Sequence, residues 1–331
     1  MKEEDRQSVW VLYGWFSGLM CVGSVFGAVT WAAWMQYLVS NSIVTLSPGL
    51  SMLAQTTFYV QYTRWGAVFY VAYPIEFLCL SVAKLLVLHR IADFAAPKGG
   101  GLSRRLAVGG RAVMAAVVVG NVVGLCANVA AAVYWAAAAD SFSAAADAFA
   151  SNNNTANSLF LRGNQKVQLG SDADSAQNFC EAVVLLIIIL AFAVVGLAGD
   201  RRLSSALVQV KNEHVEALGK QLRRQIVGTT AFVFVTFLLR AVFSIMNAVS
   251  NALQNDAAAC ADVSGACDPT CFNVWQLMQN WITFTPEFQL MVVLISSPLA
   301  MIVALWGMTS DRMLQAMKSN NVSERKMQQL S

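Results

Sequence analysis

The amino-acid sequence predicts an all-α polytopic membrane protein with six transmembrane helices, on three observations. Of its 331 residues, 57% are hydrophobic and only 12% charged, about half the charged share of a soluble domain. The apolar residues are gathered into long runs, each at or near the length of about 20 residues that crosses a bilayer core as a helix. Within lipid a chain must satisfy its own backbone, which makes these runs helices rather than open strands.

The runs fall at 9–39, 65–88, 113–139, 182–198 (extended upstream by 179–181), 226–253 and 281–308. The start, "MKEEDRQSVW", is mixed in charge and leads into a run too long for the core of a signal peptide, so the first helix reads as a retained anchor. With six spans, the layout is an N-terminus at 1–8, a membrane domain at 9–308 and a tail at 309–331. The outer loops are then 40–64, 140–178 and 254–280, and the inner loops 89–112 and 199–225.

Charge sets the orientation. Two basic residues, Lys84 and Arg240, lie inside apolar runs. Of the rest, seventeen fall on one side of a six-span layout and only Arg64, Arg162 and Lys166 on the other. The positive-inside rule places both termini and both basic loops in the cytosol, in a plasma or secretory-pathway membrane. Asp140, Asp147, Asp172, Asp174, Asp256, Asp262 and Asp268 lie on the opposite side, with a glycosylation acceptor pattern at Asn153. The segment 43–60 carries Pro48-Gly49 and many hydroxyls, and reads as an outer or re-entrant loop. Were it to cross, the spans would number seven and the N-terminus would lie outside.

Cys21, Cys79 and Cys126 lie within the runs as small hydrophobes. Cys180, Cys260, Cys267 and Cys271 lie on the outer side, where clustered cysteines read as disulfides with three connectivities open. A bond from Cys180 to the last outer loop is the expected one. A zinc site is disfavoured, because no C-x-x-C pair occurs and neither His89 nor His214 is near.

The outer segment 140–178 opens with an alanine-rich stretch that extends the third helix, breaks at "SNNNTANS", and continues as "SLFLRGNQKVQLGS", whose central Gly-Asn suggests a short hairpin. Inside, residues 201–224 have helical apolar spacing, with a charged opposite face. Such a helix lies against the membrane or meets a cytosolic partner.

Gly14 to Gly18, Gly23 to Gly27 and Gly120 to Gly124 are small-xxx-small patterns, suited to packing within the chain or to a homo-oligomer. Asn121 and Asn128 share one face of the third helix. Charges at bilayer depth face the interior and mark functional sites by default. Lys84 is six residues from Arg90, so its ammonium is expected to reach the headgroups. Glu76 lies deeper, two residues after Pro74. Arg240 and Glu287 (just after Pro286) are also deep. An Arg240–Glu76/Glu287 cluster lining a cavity open to the outer face is the expected site, with a register-fixing ion pair as the plain alternative.

No phosphate loop, dinucleotide fingerprint, nucleophile elbow, metalloprotease pattern or kinase set is present. No enzyme activity, cofactor or nucleic-acid partner is implied. Three classes follow: a receptor-like sensor presenting 201–224 inside, a transporter or channel using Glu76, Arg240 and Glu287, and a structural or scaffold membrane protein.

Overall fold

A computed structural model describes residues 3–47, 49–95, 101–208, 213–262 and 269–284. Those residues form six helices: α1 (Glu3–Leu46), α2 (Met52–Ala95), α3 (Gly101–Ala150), α4 (Ala156–Val208), α5 (Glu213–Asp262) and α6 (Pro269–Phe284). The first five are long and apolar enough to cross a membrane. They are compatible with an integral membrane protein. The expected sixth run, 281–308, lies almost wholly outside the described residues, as do Cys267 and Glu287 and the side chains of Cys260 and Cys271.

The helices are much longer than the spans read from hydropathy. α4 has 53 residues, about 80 Å of helical rise, against a hydrocarbon core about 30 Å thick. The segments expected as outer loops, 40–64, 140–178 and 254–280, are helical over most of their length, and so are 89–112 and 199–225 where described. "SLFLRGNQKVQLGS" is part of α4 and forms no hairpin. The reason is compositional and tertiary: the stretch holds no proline, and its two glycines, Gly163 and Gly170, sit against Phe142 and Trp135 of α3, which supplies packing alongside. Segment 43–60 is not one span either, since it is divided between the end of α1 and the start of α2.

Both turns at this end have local causes. Ser51 accepts the Ala54 N–H on its hydroxyl at 3.3 Å, capping α2. α3 ends with Asn152 in the left-handed region (φ 51). The Asn153 N–H donates to the Ala148 carbonyl at 2.9 Å, and the Asn152 N–H to Phe149 at 3.2 Å. That is a Schellman closure with asparagine in glycine's place. The Asn153 side chain then accepts from the Thr155 N–H at 3.0 Å, starting α4. Asn153 is thus exposed at the tip.

Consecutive helices pack as neighbours, and α2 also touches α4, so α2 and α4 are central. Outward-facing residues of α3 and α4 include Val118, Val122, Val129, Val183, Leu190, Val194 and Leu197, an apolar belt suited to lipid. The interior has two characters. Toward the basic end it is mostly aliphatic, built on Val184, Leu185, Ile188 and Val233 with Phe192 and Phe237 among them. Toward the tip it is aromatic: Trp135 contacts Tyr37, Tyr62 and Tyr70, with ring centroids 5.1–5.7 Å away, while Tyr59, Phe142 and Phe160 form a second group.

Glycines make the aromatic region possible. A Cβ at Gly66 of α2 would meet the Trp135 ring at 2.5 Å, and one at Gly170 of α4 would meet it at 2.5 Å from the other side. Two of the three glycine pairs are also used within the chain. Gly23 and Gly27 lie against Cys79 and Glu76 of α2, and Gly120 and Gly124 against Val184 and Cys180 of α4. Gly14 and Gly18 have nothing described within 4 Å. Cys180 carries a free thiol, which corrects its expected disulfide. The cause is the length of α4: Cys180 lies well inside the helix, facing Gly124, rather than at its head.

Candidate functional site

The buried charges lie where the aliphatic and aromatic interiors meet, and their pairing differs from expectation. Arg240 of α5 donates from Nε to Oε1 of Glu181 on α4 at 2.9 Å. The Glu181 side chain has no exposed surface and Arg240 has 7%. Glu181 accepts three further hydrogen bonds: Ser244 Oγ to Oε1 at 3.1 Å, Gln177 Nε2 to Oε2 at 3.1 Å, and the Tyr73 hydroxyl to Oε2. Arg240 Nη2 also donates to the Tyr73 oxygen. Both carboxylate oxygens are fully used, which is the condition for a buried ion pair to persist. The network joins α2, α4 and α5. About two turns toward the tip, Ser175 donates to the Ala248 carbonyl at 2.9 Å and repeats the α4–α5 tie.

Glu181 belongs to the upstream extension 179–181 of the apolar run 182–198, at the edge of the span, so its depth gave no reason to single it out. Helical phase was the usable signal. The buried stripe Phe192, Ile188, Leu185 continues upstream to Glu181, Gln177 and Asp174, all of them buried. In the same way Tyr73, Phe77, Leu80, Lys84 and Val87 form one inward stripe of α2.

Glu76 belongs to a different contact. Its carboxylate lies over Gly27 of α1, where a Cβ would approach it to 3.2 Å, and is within range of Thr30. It feels the charges of Arg240, Glu181 and Lys84, yet among the described residues no ion pair within 4 Å joins it to Arg240. Its Oε2 is buried without a hydrogen bond. The expected Arg240–Glu76/Glu287 cluster is therefore corrected to Arg240–Glu181–Tyr73, with Glu76 beside it and Glu287 outside the described residues.

Lys84 is also corrected. It does not extend to the headgroups, because its place on the inward stripe of α2 turns it toward α5. It is 1% exposed, with its ammonium 4.6 Å from the Phe237 ring centroid and 5.9 Å from Phe77. No carboxylate lies within 4 Å of it among the described residues, so the aromatic faces are its near neighbours. Because its charge is only distantly compensated, Lys84→Met is expected to leave stability unchanged or raise it by about 1–4 kcal/mol. Thermal unfolding in nanodiscs checks this, and a loss above that range would assign Lys84 a tighter partner.

Asn121 and Asn128 do share a face of α3, as the spacing predicts. They line a crevice with Pro74, Phe77, Gln177 and Glu181, between α2, α3 and α4. It has room for about one water molecule. This crevice is smaller than a solute site, and Glu181 lines it whereas Glu76 does not. Among the described residues, no group of three His, Cys, Asp or Glu side chains could hold a metal ion.

At the basic end, the Arg223 guanidinium pairs with Asp200 at 2.6 Å, linking α4 and α5 again. This hydrogen bond raises the Arg223 pKa from its ordinary value. The pair is exposed and salt-screened, so Asp200→Asn is expected to leave the midpoint of thermal unfolding unchanged at physiological ionic strength.

No family model, curated protein or solved structure matches this chain. The site therefore has to be read on its own chemistry.

Proposed function

We propose that the protein is a receptor-like membrane sensor whose tip and basic end are coupled through α3 and α4, with Arg240–Glu181–Tyr73 as the joint. One observation carries this reading. A single unbroken rod, α4, bears the tip turn at one end, Glu181 in its interior and the Asp200 contact at the other. A displacement at the tip of such a rod moves its far end, and the buried joint transmits it to α2 and α5.

In this reading the basic end is cytosolic, by the positive-inside rule, and presents 201–224 to a partner or to anionic headgroups. The tip is extracellular or luminal, with Asn153 available for glycosylation. Transport is the second reading, favoured by the charged side chains inside the bundle, with Lys84, Glu181 and Arg240 buried and Glu76 partly buried beside them. Against it stand helices that run unbroken through the site, where transporters typically interrupt theirs, and a crevice of about one water's volume.

Purified protein in sealed liposomes tests the choice. The sensor reading expects proton, sodium and potassium fluxes equal to those of protein-free vesicles, for wild type and Glu181→Gln alike. It also expects a membrane-impermeant maleimide to label Ser158→Cys and Ser205→Cys from opposite sides. Flux through the wild type that Arg240→Ala abolishes would establish transport instead, and labelling of both cysteines from one side would overturn the relay.

A further inference from the structure

We infer that the α2–α3–α4 crevice is a binding site for the hydroxyl group of a membrane lipid, entered from the surrounding hydrocarbon. The chemistry begins with Asn128. It is 2% exposed, and its Nδ2 donates to the Gly124 carbonyl at 3.2 Å. That bond fixes which way the amide points and leaves Oδ1 as the free end. The Asn128 Oδ1 is buried with no hydrogen-bond partner, and so is the Asn121 Oδ1 two turns earlier on the same face. Leaving such an acceptor unmatched costs about 1–3 kcal/mol.

Both unmatched atoms are acceptors, so the missing group is a donor. The neighbouring Glu181 cannot supply it, since both its oxygens already accept bonds. A free carboxylate or phosphate is unsuited, because it brings only acceptors to a crevice that needs a donor. The available volume suits one hydroxyl.

The mouth shows what the hydroxyl is attached to. Leu78 and Leu125 border the crevice and are 41% and 38% exposed on the apolar outside of the bundle. Val71, Val82, Val122 and Val129 continue that surface. A molecule entering there keeps an apolar body against these side chains while its hydroxyl reaches inward. A sterol meets these requirements, with one donor on a rigid apolar body.

The inference stands independently of the sensor reading, and a photolabelling experiment tests it. The full chain in phosphatidylcholine vesicles is exposed to a diazirine-bearing cholesterol, with excess cholesterol or its 3-keto analogue as competitor. The ketone has the same shape and no donor. The expected result is labelling of the α2 and α3 peptides around Leu78 and Leu125, competed by cholesterol about five-fold better than by the ketone. Asn128→Leu is expected to reduce labelling by a similar factor, and Leu125→Trp, which blocks the mouth and leaves both amides in place, to abolish it. Equal competition by alcohol and ketone would overturn the inference. So would undiminished labelling in Leu125→Trp, or no labelling of these peptides in folded wild type, the outcome expected if water alone fills the crevice.

Discussion

Replacing Arg240 with alanine is expected to destabilise the protein by about 3–5 kcal/mol, because it leaves the Glu181 carboxylate buried without its counter-charge. Tyr73, Ser244 and Gln177 still donate to that carboxylate, yet neutral donors do not replace a guanidinium. Arg240→Lys is expected to recover only part of the loss, since a single ammonium cannot serve Glu181 and Tyr73 with the guanidinium's planar fork. Removing both charges together, as Arg240→Met with Glu181→Leu, is expected to restore most of the stability. Thermal unfolding in nanodiscs of wild type, Arg240→Met, Glu181→Leu and the double variant gives the coupling energy as a double-mutant cycle. Additive losses would mean that the two side chains act separately, and the joint would dissolve as a unit.

The second large effect is expected at Trp135. The indole lies between Gly66 and Gly170 and touches Tyr37, Tyr62 and Tyr70. It is 3% exposed. Trp135→Ala empties that space and is expected to cost about 3–5 kcal/mol. Gly170→Val produces the opposite error, since a Cβ there would already meet the ring at 2.5 Å, and overpacking of this kind costs about 1–3 kcal/mol. Melting midpoints close to wild type in both variants would show that the aromatic region repacks freely. Hydrogen exchange should show the damage concentrated at the tip ends of α2, α3 and α4, because the aliphatic interior around Ile188 and Phe237 is separately packed.

Much of this architecture was legible in the sequence. Low charge and long apolar runs pointed to the membrane helices, and Gly23 to Gly27 and Gly120 to Gly124 pointed to close helix contacts inside the chain. Helix ends were less legible. Hydropathy marks where lipid contact stops, whereas a helix continues wherever a neighbour covers it, as α4 does through 156–178. The same blind spot hid Glu181, whose role depends on its phase with Leu185 and Ile188 rather than on the polarity of its segment. Lys84 was misjudged for a related reason: its distance to Arg90 suggested reach, but the inward stripe of α2 settles its direction.

One distance distribution tests the coupling most directly. Spin labels at Ser205→Cys on α4 and Lys220→Cys on α5, on a cysteine-free background, flank the Arg223–Asp200 contact. Both positions are exposed. Glu181→Gln alters only the buried joint, nineteen residues from Asp200 and about 28 Å away along the helix. The coupled reading predicts that this change shifts or broadens the distribution at the basic end by about 1–2 Å or more, the amplitude of an interface helix shift. A distribution superimposable on that of the unsubstituted pair, in protein whose melting midpoint has fallen, would show that the joint stabilises the bundle without transmitting anything, and would contradict the account.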